Sequence, residues 1–166
     1  MKHICAFAAT LLLSSPAFAD ISIRFVESAP KDRFVIQNGS CALSQVDVQI
    51  DLSESTGALI FDVTAAGAGV EVFQPVEVQL GAVSANPVTD GDQQLSFKIN
   101  EFAAGTEVII SADLDDVLTD SSLGQIRVAG DELAGATVRM TINGQSQQAV
   151  FDANSNTVSI PHTCSS

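Results

Sequence analysis

Apolar and polar residues alternate with a period of two along most of this chain. Ile21–Glu27 places Ile21, Ile23 and Phe25 on one face, and Val46–Leu52 does the same with Val46, Val48, Ile50 and Leu52. That spacing is the mark of a half-buried strand. Further short runs rich in Val, Ile, Phe and Thr occur at Arg33–Gln37, Leu59–Val63, Val70–Phe73, Val76–Leu80, Leu95–Ile99 and Val108–Leu114. Others follow at Ile126–Val128, Thr137–Ile142, Ala149–Phe151 and Thr157–Ile160. Turn-forming residues separate them at the spacing of a sandwich. Asn143-Gly144 predicts a two-residue hairpin, because both central positions need φ > 0. Asn38-Gly39 offers a second such turn and, with Ser40, an Asn-x-Ser glycosylation acceptor. Helical periodicity is nearly absent, and only Asp115–Leu123 has room for one turn. The expectation is an all-β chain, a single antiparallel β-sandwich of two packed sheets. Ser84–Asp92 reads as a long loop inside that domain, since each flank is too short for a typical domain of its own.

The alternation begins only after residue 19. Met1-Lys2-His3 is a short basic start, Ile4–Leu13 is apolar apart from Thr10, and Ala17-Phe18-Ala19 places small residues at the −3 and −1 positions before Asp20. This predicts a secretory signal peptide over 1–19 and a mature domain over 20–166. The apolar run is about half of what a bilayer span needs. Export to the periplasm or the extracellular medium is expected.

Removing Lys2 leaves six of the seven Lys and Arg residues against twenty Asp and Glu. Too few cations remain to neutralise phosphates, so nucleic acid and anionic membrane are not expected partners. Cations, cationic partners or solubility in salt fit the balance better. Cys5 leaves with the leader, and Cys41 and Cys164 remain. An even pair in an exported chain predicts a Cys41–Cys164 disulfide.

Common catalytic constellations do not assemble. The mature chain has one histidine, His162, near its end, and no Gly-x-Ser-x-Gly elbow. One His and two paired cysteines cannot furnish a zinc site. The chain has no Trp and no Tyr, the rings on which sugars usually stack. Acidic clusters are more suggestive. Asp113-Leu114-Asp115-Asp116 ends a strand, and period two puts Asp113 and Asp115 on one face, with Asp120 shortly after. Asp90-Gly91-Asp92 sits in the long loop. Hard oxygens at strand ends and loops are what Ca²⁺ takes. Crowded carboxylates repel one another, and a bound cation relieves them. Asp90, Asp92, Asp113, Asp115 and Asp116 are therefore the candidate Ca²⁺ ligands.

Five segments carry a family resemblance: Ile23–Phe34, Gly67–Pro75, Val88–Asp92, Ala112–Asp116 and Ala134–Val138. Together they resemble the core protein of the sponge aggregation factor and similar small exported marine bacterial proteins. The resemblance spans nearly the whole mature chain and implies an extracellular, calcium-dependent adhesive role. It also implies a protein or matrix partner. The chain departs from the sponge proteins in being one domain, without the tandem array that gives an adhesin avidity. Separately, Phe34–Ser40 followed by Val46–Val48 is similar to the second and third strands of immunoglobulin-like modules in bacterial surface proteins, which implies an immunoglobulin-like sandwich. The expected function is thus structural or adhesive and not enzymatic. Two other readings stay open. One is a periplasmic binding or assembly module that engages a protein or ligand through a sheet edge or loop. The other is a hydrolase using Asp113 or Asp115.

Overall fold

The computed structural model describes residues 18–64, 73–117 and 127–164. Most of the expected leader, the Gly67–Val72 part of the resemblance, Asp120 and the expected helical turn beyond Val117 lie outside them. The strands are β1 (Phe18–Val26), β2 (Asp32–Gln37), β3 (Leu43–Asp51), β4 (Ile60–Phe61), β5 (Glu77–Leu80) and β6 (Ala82–Ala85). They continue with β7 (Gln94–Phe102), β8 (Glu107–Ala112), β9 (Leu114–Asp115), β10 (Thr137–Ile142), β11 (Gln145–Val150) and β12 (Thr157–Thr163). Two five-stranded sheets run in the orders β12-β1-β2-β8-β5 and β11-β10-β3-β7-β6, and β4 pairs with β9 in a small third sheet. Neighbouring strands are antiparallel throughout. Among the described residues there is no helix, and so none that is long and apolar enough to cross a membrane.

Period two decides which face of each strand enters the core. In the first sheet Ile21, Ile23 and Phe25 of β1, Phe34 and Ile36 of β2, and Val108, Ile110 and Ala112 of β8 are buried. Facing them are Val46, Val48 and Ile50 of β3, Leu95, Phe97 and Ile99 of β7, and Val138, Met140 and Ile142 of β10. The Phe25 and Phe34 rings pack at 5.5 Å between centroids. Each buried Val, Ile, Leu, Phe or Met side chain contributes about 1.5–3 kcal/mol. The antiparallel sandwich expected from the alternation is what the chain forms.

Three local expectations change. Asn38-Gly39 is not a hairpin turn, because β2 and β3 belong to different sheets. Neither residue has a positive φ, whereas Asn143 (φ 50°) and Gly144 (φ 76°) do, and Ile142 pairs with Gln145 across that turn as expected. Asn38 instead lies buried at the crossover. Its Nδ2, the atom a glycan would take, donates to the carbonyls of Cys41 at 2.6 Å and Phe102 at 2.7 Å, while its Oδ1 is buried without a partner. Ser84 and Ala85, expected in the loop, complete β6. The turn at Gly81 (φ 102°) carries the chain from the edge of one sheet to the edge of the other, and a Cβ there would sit 2.6 Å from Val108 Cγ2. Arg127 and Val128, expected in a strand, lie outside one, although Val128 is buried.

Cys41 and Cys164 form a disulfide with Cα atoms 5.7 Å apart and a separation of 123 positions in sequence. It ties the crossover after β2 to the end of β12.

Candidate metal centre

Strand β8 ends at Ala112, and there the chain leaves the first sheet. Two residues later β9 pairs with β4 in the register Ile60↔Asp115 and Phe61↔Leu114. The amide of Asp62 donates to the carbonyl of Asp113 at 3.1 Å. This local zipper sets Asp62 beside the β8–β9 corner. One carboxylate oxygen from each of Asp62, Asp113 and Asp115 lies within 4.8 Å of the others, and the three residues are 1%, 6% and 1% exposed.

Three carboxylates so placed cannot all ionise cheaply. Burial pushes the Asp113 carboxyl up to about 7, helped by the charges of Asp115, Asp62 and Asp32 and opposed by Lys31. Asp32 sits at the same end and is also raised to about 7, mainly by burial. The amide of Ser28 donates to it at 3.0 Å and works the other way, and Glu27 and Asp115 add to the rise. Glu132 is raised too, by burial first and then by Asp116, Asp131 and Glu27. Arg127 acts on Asp32, and Lys31 is bound to Glu77 at 2.6 Å and to the carbonyl of Pro75. The Gln74 amide donates to Asp113 Oδ2 at 2.6 Å, while its own Oε1 is buried without a hydrogen-bond partner.

Of the residues expected from sequence, Asp113 and Asp115 converge, although the strand expected through Leu114 breaks at Asp113 and the two meet at the corner between β8 and β9. Asp116 is buried beside them but is not one of the converging three. Asp90 and Asp92 occupy a different role. Asp90 Oδ1 accepts the amides of Val63 at 2.8 Å and Thr64 at 2.7 Å, and its Oδ2 accepts the Thr64 hydroxyl. These bonds, the Thr64 hydroxyl foremost, hold its carboxyl below the usual range. Asp92 Oδ2 accepts the amide and hydroxyl of Thr89. The same turn exchanges backbone bonds with Phe61, which donates to Asp92 O and accepts from Gly91 N. The Asp90–Asp92 turn thus braces the segment that carries Asp62. Asp62 was not among the sequence candidates. Its only signal is one charge inside the apolar run Leu59–Val63.

The donor set is chemically uniform: hard carboxylate oxygens, with an amide oxygen adjacent. Such a set suits Ca²⁺, which takes oxygens at 2.3–2.6 Å, so ligand oxygens across one ion stand up to roughly 5 Å apart. It offers no soft ligand for zinc or copper. His162 lies elsewhere, lining a hollow with Cys41, Leu43 and Asn143 at the disulfide end. Comparison with family models, with curated proteins and with solved structures gives no match.

Proposed function

We propose that this protein is an exported, non-enzymatic β-sandwich module in which Ca²⁺, held by Asp62, Asp113 and Asp115, locks one end of the fold for a structural or adhesive role. The observation that carries this reading is the convergence of three buried carboxylates at the β4–β9 corner. Buried carboxylates this close repel one another when ionised, and a divalent ion turns the repulsion into coordination. The ion's chemistry here is charge neutralisation. The carboxylates and the Gln74 amide do the rest by fixing β4 against β9. Deep burial favours an ion over a substrate, which supports a non-enzymatic reading. Export is supported by the leader pattern and by the disulfide. Adhesion follows the resemblance to the aggregation factor core, with a protein or matrix component as partner.

Thermal melts with Ca²⁺, with Mg²⁺ and with chelator test the centre. A ligand bound only by the native state stabilises it by about 2.7 kcal/mol at one hundred times its Kd. For a domain of this size that is a rise of roughly 10 °C in Tm. The same Tm in millimolar Ca²⁺ and in chelator removes the cation from the reading. Beads coated with the protein test adhesion separately: clumping in Ca²⁺ that chelator reverses is expected, and beads that stay dispersed count against an adhesive role.

A further inference from the structure

Among the described residues the two open sheets have four edge strands, β12, β5, β11 and β6. Three of them carry devices that discourage pairing. Strands β5 and β6 are four residues each, and both slip register against their neighbours. Strand β12 has Pro161 within it. Strand β11 has none of these features. It is six residues long and keeps continuous register with β10 from Gln145 to Val150. It contains no Pro and no charge, and all of it but Ala149 is exposed. Short length, proline, charge and bulges are how edges avoid pairing with other chains, and their joint absence leaves a template for strand addition.

The hairpin also fixes which backbone groups are free. A two-residue turn makes Ile142 and Gln145 a hydrogen-bonded pair. Alternation then assigns the backbone groups of Gln145, Gln147 and Ala149 to β10. Those of Ser146, Gln148 and Val150 turn to the open edge, and among the described residues no strand pairs with that edge.

We propose that β11 is the edge through which two copies of this chain join, antiparallel about a two-fold axis, into a continuous sheet. The register that uses every outward group sets Gln148 opposite its own counterpart and Ser146 opposite Val150. It also keeps the core faces of both copies on the same side. Charge selects a second copy as the occupant. The chain carries a net charge of −13, yet no Asp, Glu, Lys or Arg occurs between Arg139 and Asp152. This is a stretch along which two like-charged molecules can touch without opposing charges at the contact. The side chains of Gln145, Ser146 and Gln147 each donate and accept, and Gln148, whose Oε1 already accepts from Arg139 Nη2 at 3.1 Å, retains its amide donor, so the surface complements itself as an isologous contact requires. A hollow of about 210 Å³ opens beside the same edge, floored by Met140, Ile142 and Ile160 with Gln147 and His162 at its rim. An added strand carries its own inward side chains across that mouth. The pairing is independent of the cation reading, because β11 supplies no ligand to that centre.

Sedimentation equilibrium of the folded, disulfide-intact chain tests the pairing from micromolar to millimolar concentration, in salt that holds the Debye length to about 8 Å or less. The mass should rise from one chain to two and stop there. Gln148→Pro deletes an outward N–H and the side-chain bond from Arg139 Nη2 to Gln148 Oε1, and leaves the backbone ladder of β10–β11 whole. It should weaken association by about tenfold or more. Gln148→Lys sets like charges opposite each other at the axis and should do the same. If the proline variant fails to fold, the lysine variant decides. A monomer at every concentration, growth beyond two chains, or a dimer indifferent to the variants that fold overturns the proposal.

Discussion

Asp62, Asp113 and Asp115 are buried carboxyls close enough to repel one another when ionised, and that makes their substitution informative in sign as well as size. Asp113→Asn keeps shape and removes one charge. In chelator at pH 8 it should stabilise the fold by roughly 1–3 kcal/mol, because burial and like charges oppose ionisation there. The same variant should lose most of its response to Ca²⁺, as should Asp62→Asn. Paired melts of wild type and variants check this, and a full Ca²⁺ response from both variants contradicts the assignment of ligands. The pH dependence has a definite direction. Asp113 and Asp32 have folded pKa values of about 7 against 3.8 for the free group. The native state therefore holds protons that the unfolded chain releases. This contribution is complete below about pH 4 and is lost as pH rises through about 7. In chelator the protein should melt higher at pH 5 than at pH 8. With Ca²⁺ the order should narrow or reverse, since binding needs ionised carboxylates. Equal melting at the two pH values in chelator means the cluster is not titrating as argued.

At the level of elements, one asparagine separates the two sheets. Asn38 Nδ2 reaches the carbonyls of Cys41, Phe102 and Ala103, so it joins the crossover after β2 to the end of β7. Asn38→Leu leaves buried carbonyls without a donor and should cost about 2–4 kcal/mol, read as a fall in the denaturation midpoint. A loss under about 1 kcal/mol shows that water takes over the role. The residue also marks where sequence reading stops. Strands β1, β2, β3, β7, β8, β10 and β12 were legible because each buries one face, and burial writes period two into the chain. Strand β6 was not, because in Ala82–Ala85 only Val83 packs against the core, and one inward residue writes no period into the chain. Asn38-Gly39 and Asn143-Gly144 are the same dipeptide, and only the second is a hairpin. The difference lies in which sheets the flanking strands join, a long-range fact. The site divides in the same way. Asp113 and Asp115 lie two residues apart in the chain, whereas Asp62 arrives through the β4–β9 pairing, which no local pattern encodes.

On the scale of the whole molecule the fold is fastened at its two ends by different means. Strand β2 runs from Asp32, at the carboxylate cluster, to Gln37, beside the crossover that holds Cys41. Six residues of strand separate those ends by roughly 20 Å. At the disulfide end a bridge between positions 123 apart in sequence acts on the unfolded state, and chain entropy gives it about 5 kcal/mol. Among the described residues the far end is held by the two-residue β4–β9 pair, the Asp90–Asp92 brace and the Gln74–Asp113 bond, and the cation proposed there would act on the native state. Fasteners that far apart, with no shared partner, should contribute independently. A four-way comparison tests this: oxidised or reduced, each with Ca²⁺ or chelator. The loss on reduction should be the same with and without Ca²⁺, within about 0.5 kcal/mol. Reduction that also abolishes the Ca²⁺ response implies that the carboxylate end loses its geometry when Cys164 is released. In that case the sandwich is one cooperative clamp and not two separate fasteners.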